Sequence, residues 1–260
     1  MDMNTTARGL RVLVTAGAAG IGKAFAETFA DAGAKVFICD VDQAALAAFR
    51  SARPEIGSGF ADVADPRHVD GLFDAATVFL GGLDVLINNA GIAGPTAPVE
   101  EIEIAEWNRT IAVDLNGMFY CTRRAVPLLK AAGGGSIINL SSVAGRLGYP
   151  LRTPYASAKW AVVGFTKSLA MELGPANIRV NAIQPGIVEG ERIERVISAK
   201  AKALGVSFDD YKRQLLSKVS LRRTVSPVDI ANMALFLATE AGSNISGQAL
   251  SVCGNVESLV

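Results

Sequence analysis

One histidine and three cysteines in 260 residues leave few of the side chains that hold metals or form bridges. His68 follows Asp65-Pro66-Arg67 in the first turn of an expected helix, a surface or capping position, so a histidine general base or a zinc centre lacks its parts and no metal is expected. Cys39 falls at a strand end, Cys121 within a long helix and Cys253 near the C-terminus. With no paired spacing, each reads as a small buried apolar residue of a reduced, cytoplasmic protein. An excess of either charge is lacking too. The 25 basic side chains match the 25 acidic ones, which gives no electrostatic reason to expect nucleic acid or an anionic membrane and leaves a small molecule as the expected partner. No apolar run reaches the roughly 18 residues of a membrane-spanning helix. The opening Met1-Asp2-Met3-Asn4-Thr5-Thr6 has neither a basic nor an apolar leader segment, so the expectation is an unexported protein.

What is present is apolar sequence in a repeating order. Half of the residues are hydrophobic, enough to bury a large core, and residues 1–260 are expected to form one α/β domain. Short β-branched runs alternate with helical stretches. Strands are expected over 10–14, 35–39, 57–63, 83–88, 136–140, 178–183 and 248–252, and helices over 23–32, 66–80, 102–129, 154–173 and 227–239. Strands that are apolar without polar alternation suit a parallel sheet covered on both faces, so the predicted architecture is a doubly wound parallel sheet with helices on either side. A polar helical excursion, about 189–219, interrupts the pattern and is expected to cover a substrate pocket.

The first strand runs into Thr15-Ala16-Gly17-Ala18-Ala19-Gly20-Ile21-Gly22 and then into a helix. A glycine turn between strand and helix is a phosphate site, because glycines let the backbone approach a pyrophosphate and the helix N-terminus offers unpaired N–H groups at the positive end of its dipole. The second strand ends in Asp40, about 20 residues further on, where a carboxylate can hold a ribose 2′-hydroxyl and repel a 2′-phosphate. The same carboxylate can alternatively cap the helix beginning near Asp42.

Tyr155 and Lys159 lie four residues apart on one expected helix face, with Ser142 thirteen residues upstream of Tyr155 at a strand end. An ammonium beside a phenol favours the phenolate, which can then pass protons, and a serine hydroxyl can hydrogen-bond a substrate oxygen. An exposed lysine on an ordinary amphipathic helix has the same spacing. The glycine turn and Asp40 in the same chain are what favour the chemical reading.

Together with Asp62-Val63, Asn88-Asn89-Ala90-Gly91 and Pro185-Gly186, these motifs stand in the order and spacing of the short-chain dehydrogenase/reductase family, which the chain resembles over nearly all its length. The glycine string resembles the family's Thr-Gly-x-x-x-Gly-x-Gly. The resemblance implies a Rossmann-type fold and a nicotinamide cofactor, with NAD expected from Asp40 and from the absence of basic side chains at Ala18 and Ala19. It implies cofactor contacts at Gly17, Gly20, Ile21, Gly22, Asp40, Val41, Asp62, Val63, Asn89, Gly91, Tyr155, Lys159, Pro185, Gly186 and Val188. Ser142, Tyr155, Lys159 and Asp114 are the implied catalytic set, and a homo-oligomer, a tetramer, is implied by the two long helices.

Three positions and one segment depart from the family pattern. Ala16 replaces the first glycine, a change tolerated if its backbone angles are ordinary. Asp114 stands where asparagine is usual, Gly190 replaces a threonine, and Ser251-Val252-Cys253-Gly254-Asn255 replaces the commoner Val-Asp-Gly-Gly. The expected reaction is hydride transfer between the nicotinamide and a secondary alcohol or ketone, with a hydroxy acid, sugar acid or polyol as substrate. A 3-oxoacyl thioester reductase is the alternative within the family, and a non-catalytic dinucleotide sensor or scaffold the alternative outside it. Arg152, three residues before Tyr155, and the bases Arg192, Arg195, Lys200, Lys202, Lys212 and Arg213 would suit an anionic substrate. Glu189, Glu191, Glu194, Asp209 and Asp210 are interleaved with them, so a salt-bridged solvent face is the competing account.

Overall fold

The computed structural model describes residues 6–259; Met1–Thr5, which bear on the leader reading, lie outside the described residues. Strands β1 (Arg11–Thr15), β2 (Lys35–Asp40), β3 (Gly57–Phe60), β4 (Val85–Asn88), β5 (Gly135–Leu140), β6 (Ile178–Pro185) and β7 (Ala249–Val252) form one sheet. Its order is β3-β2-β1-β4-β5-β6-β7, and every neighbouring pair is parallel. The helices are α1 (Gly20–Asp31), α2 (Gln43–Ala52), α3 (Pro66–Leu80), α4 (Ile104–Ile111), α5 (Gly117–Ala131), α6 (Thr153–Leu173), α7 (Glu191–Leu204), α8 (Phe208–Ser217) and α9 (Pro227–Ala238). This is the expected doubly wound α/β sheet.

Strand residues alternate between the two faces, and each face has its own core. Val12 and Val14 of β1 join Phe25 and Phe29 of α1, Leu46 and Phe49 of α2, and Ile230 and Leu237 of α9. Leu13, between them, joins Leu72 and Phe73 of α3 with Cys121, Ala125 and Leu129 of α5. Each such fully buried Leu or Phe stabilises the fold by about 1.5–3 kcal/mol, which is why the strands read as continuous apolar runs. The crossovers diverge on either side of β1 and β4, opening a crevice at their carboxyl ends.

Several boundaries differ from expectation for local reasons. Helix α1 begins at Gly20 rather than Lys23, with Ala19 at its N-cap and no side-chain cap. Strand β3 stops at Phe60 rather than Val63, because Asp62 turns the chain by accepting from the Ala64 N–H at 3.0 Å, and Asp65 then caps α3 ahead of Pro66. The helical stretch expected over 102–129 is broken at Ala112–Asn116 by a π-helical turn. The excursion is two helices, α7 and α8, parted by Gly205 at φ 68° and restarted by Ser207, whose side chain accepts from the Asp210 N–H. Asp42 rather than Asp40 caps α2, accepting from the N–H groups of Ala44 and Ala45.

All three cysteines are buried and free. Burial pushes the Cys39 thiol up to about 12 and the Cys121 thiol well above its ordinary value, so neither is a ready thiolate. His68 is exposed, its ring edge-on to Phe60 at 5.4 Å. Among the described residues no group of three or more His, Cys, Asp or Glu side chains converges as a metal site, and no helix is long and apolar enough to cross a membrane.

Candidate active site

The glycine turn is shaped by close approach. A Cβ on Gly22 would lie 1.8 Å from the Ala16 carbonyl oxygen and 2.7 Å from Asn89 Nδ2, and one on Gly17 would lie 2.6 Å from Ile38. Gly20 opens α1 at φ 54°, and Ile21 packs on the core beside it. The uncapped N–H groups of this helix start, the absence of side chains from the turn and the nearby carboxylate of Asp40 fit a dinucleotide pyrophosphate and ribose. Ala16 itself has φ 50°, in the left-handed region, so the tolerance expected from ordinary backbone angles does not hold. An L-residue there carries a cost of roughly 1–2 kcal/mol that the family's glycine avoids.

Asp40 closes the turn from β2. Its Oδ2 accepts from the Ala18 N–H and its Oδ1 from the Asp42 N–H, both at 3.1 Å. Val41, next in sequence, is half exposed at the rim. Asp62 accepts from Arg109 Nη2 at 3.0 Å, while Val63 is buried in the core beneath Gly117, where a Cβ would meet it at 2.7 Å.

Thr15, which closes β1, ties this turn to the next. Its Oγ1 accepts from the N–H groups of Asn89 and Ala90 at 3.0 and 2.9 Å, and Asn89 Nδ2 donates back to the carbonyls of Thr15 and Ala16, both at 3.0 Å. The chain therefore reaches Gly91 in a fixed position. A Cβ on Gly91 would lie 3.2 Å from Lys159 Nζ and 3.4 Å from Asp114 Oδ1.

Lys159 is almost fully buried. Its ammonium donates to the Leu140 carbonyl at 3.0 Å, lies 3.5 Å from Asp114 Oδ2 and stands 5.5 Å from the centre of the Tyr155 ring. Four-residue spacing on α6 puts tyrosine and lysine on one face, as the sequence predicts. Ser141 Oγ donates to the Lys159 carbonyl at 2.8 Å and so pins α6 to the end of β5. Ser142 Oγ accepts from the Ala144 N–H at 3.1 Å, which leaves its own proton for another acceptor.

Asp114 sits in the π-helical turn, fully buried, with Oδ1 accepting from the Ile92 N–H at 2.7 Å. The side-chain carboxylate thus reaches Lys159. Its Oδ2 has no hydrogen-bond partner.

On the far side, Pro185 ends β6, Gly186 lies against Cys253, and Val188 pairs with Val225 as an isolated bridge. Gly190 leads into α7 at φ 129°. The excursion's charges divide. Arg195 pairs with Glu191 and Arg213 with Asp210 on the exposed surface, as the salt-bridged account expects. Arg192 and Lys200 turn inward instead: Arg192 Nη1 donates to the Gly91 carbonyl at 2.9 Å, with its guanidinium 5.9 Å from the Tyr155 ring centre. Arg152 also approaches that ring, at 5.2 Å. Lys200 stands in the sequence only as one of several bases of the excursion, and Tyr149, whose ring centre lies 4.5 Å from Lys200 Nζ, is not singled out there. One is a basic residue among many, the other a loop tyrosine, and no local signal marks them.

The chain is similar to known proteins over most of its length. A family model described as "Enoyl-(Acyl carrier protein) reductase" matches residues 16–255. A trans-4-hydroxycyclohexanecarboxylate dehydrogenase of Sinomonas cyclohexanicum is 38% identical over 252 residues, covering 93% of this chain and 90% of its own. The solved structure of a 7α-hydroxysteroid dehydrogenase with NADH and 7-oxo glycochenodeoxycholic acid superposes with a TM-score of 0.89 at 32% identity, covering 100% of this chain and 99% of the other. That of an actinorhodin polyketide ketoreductase variant with NADPH has a TM-score of 0.88 at 31% identity, covering 94% and 95%. With its glycine turn, Asn89–Gly91 bridge and Tyr155–Lys159 pair held at the carboxyl ends of the central strands of a parallel sheet, the chain belongs to the short-chain dehydrogenase/reductase family.

Proposed function

We propose that this protein is an NAD-preferring dehydrogenase that interconverts a secondary alcohol and the matching ketone. The observation that carries the reading is the Lys159 ammonium, held between the Leu140 carbonyl and Asp114 with the Tyr155 ring on one side and Gly91 on the other. The bound nicotinamide supplies the hydride acceptor or donor. Tyr155 takes the alcohol proton in the oxidising direction and returns it in the reducing one. Lys159 sets a positive charge 5.5 Å from the Tyr155 ring centre and would hold the nicotinamide ribose. Ser142 donates its free proton to the reacting oxygen, a contact that counts when oxygen gains charge in the transition state. Asp114 fixes Lys159 through charge and fixes the backbone at Ile92 through Oδ1. Incubation with NAD and a panel of ring alcohols, polyols, hydroxy acids and 3-hydroxyacyl thioesters, read by NADH absorbance, tests the reading. No turnover of any of them would end it.

The preference for NAD rests on Asp40, whose carboxylate would face a 2′-phosphate with no basic side chain at Ala18 or Ala19 to neutralise it. Asp40→Ala is expected to bring the NAD-over-NADP ratio of kcat/KM down by tenfold or more. A ratio in the parent at or below one would refute the preference, as would a ratio unmoved by the substitution.

A homotetramer is the proposed assembly. Helices α4, α5 and α6 leave Ile104, Trp107, Phe119, Trp160 and Met171 exposed, a concentration of large apolar side chains that suits burial against further copies. Light scattering at micromolar concentration should return four times the chain mass. A monomer mass would overturn the assignment.

A further inference from the structure

Around the rings of Tyr149 and Tyr155 two cations are buried with no counter-charge among the described residues. Arg152 is 1% exposed; its Nη2 donates to the Ala93 carbonyl at 2.5 Å, and its Nε and Nη1 have no partner. The guanidinium carbon lies 5.2 Å from the ring centres of both Tyr149 and Tyr155. Lys200, also 1% exposed, comes down from α7 to within 4.5 Å of the centre of the same Tyr149 ring. Burial first, and the Arg152 charge second, push the Lys200 ammonium down to about 8. Among the described residues no carboxylate pairs with either cation; the ion pairs of α7 and α8 lie outside, between Arg195 and Glu191 and between Arg213 and Asp210.

Aromatic faces offset only part of the cost of burying an unpaired charge, and two like charges meeting on one ring add repulsion to it. An anion between them removes both penalties. Apart from the phenols of Tyr149 and of Tyr211, whose ring centre lies 5.9 Å from Lys200 Nζ, the corner is lined by hydrocarbon: Val143, Ile187, Ile197 and Leu147 belong to the same cluster. A polyol would leave the two charges unpaired and its hydroxyls against hydrocarbon.

We propose that Arg152 and Lys200 form a carboxylate-binding subsite, so that the substrate is an apolar hydroxy acid, or its keto form, with the carboxylate between these cations and the alcohol carbon at Tyr155. The skeleton is compact, since 5.2 Å separates the Arg152 guanidinium from the Tyr155 ring centre. Arg152 supplies directed N–H donors and Lys200 a point charge from the other side. Because Lys200 rides on α7, the same anion ties the covering segment to the loop before α6. The assignment of the alcohol to Tyr155 rests on the dehydrogenase reading; the subsite itself does not.

Calorimetry on the full chain with a non-reacting pair, cyclohexanecarboxylate and cyclohexanecarboxamide, tests the subsite without turnover. The carboxylate is expected to bind at least about tenfold more tightly, and Lys200→Met and Arg152→Gln each to reduce that preference by about tenfold or more. The ratio of kcat/KM for a ring hydroxy acid over its carboxamide should fall in parallel. A ratio is used because a merely structural role for either residue would lower both members together. Equal binding of the pair by the parent overturns the subsite, and so does a preference retained in Lys200→Met, which keeps an unbranched buried side chain and decides the matter if Arg152→Gln does not fold. Alcohols turned over with no carboxylate preference would refute the subsite and leave the dehydrogenase. A carboxylate preference in calorimetry with no alcohol oxidised would keep the subsite and refute the dehydrogenase.

Discussion

Tyr155→Phe is expected to lower kcat by about 10²–10⁴ while leaving the dissociation constant for NAD within a few-fold of the parent. The substitution removes one oxygen. The ring remains to pack beside Arg152 and Lys159, so the fold and the cofactor cleft should persist. What is lost is the group proposed to exchange a proton with the substrate oxygen; Lys159 is occupied by Leu140 and Asp114, and the Ser142 hydroxyl, a much weaker acid than a phenol, can hydrogen-bond that oxygen but not replace Tyr155. Steady-state turnover alongside cofactor titration by fluorescence separates the two effects. Turnover within a few-fold of the parent would remove Tyr155 from the mechanism.

Lys159→Met should cost both activity and stability, because Lys159 is also the counter-ion of a fully buried carboxylate. With the ammonium gone, Asp114 is left with one oxygen on the Ile92 N–H and the other unpartnered. Breaking a buried pair in this way costs about 3–5 kcal/mol, which for a chain of this size is a fall in Tm of roughly 6–20 °C. Asp114→Asn added to Lys159→Met keeps an acceptor for Ile92 and removes the stranded charge. The double variant is therefore expected to recover a large part of the lost Tm and none of the lost turnover. Calorimetric scans of parent, single and double variants check this; a single variant melting with the parent would show that the pair does not hold the site together.

Much of the architecture was legible in the chain because its signals are local. A strand buried on both faces is an apolar run wherever it lies, and a glycine turn between strand and helix, with an acidic residue at the end of the next strand, is a local signal for a dinucleotide. The boundaries that moved did so where a single side chain intervened: Asp62 ended β3 by turning the backbone, and Gly205 with Ser207 divided the excursion. The π-helical turn around Asp114 is not read from the residue pattern, because a single π turn inside a helix is made of ordinary helix residues and carries no composition of its own. Ala16 shows the reverse case. Its departure from glycine is visible in the sequence, but its left-handed backbone is a property of the folded turn.

By itself, then, the sequence determined the parallel α/β sheet, the dinucleotide turn with its acidic partner at Asp40, and the Tyr155–Lys159 pair, since each depends on residues near one another along the chain or on a fixed helical period. Only the tertiary structure decided which of many charges act together. Asp114 meets Lys159 from 45 residues away in the sequence, and Lys200 meets Arg152 across 48, while Arg195 and Arg213, indistinguishable from Lys200 by composition, pair harmlessly at the surface. Burial is the reason. A charge gains its chemical force when water is removed from around it, and whether water is removed depends on how α7 and the loop before α6 pack, which no local spacing encodes.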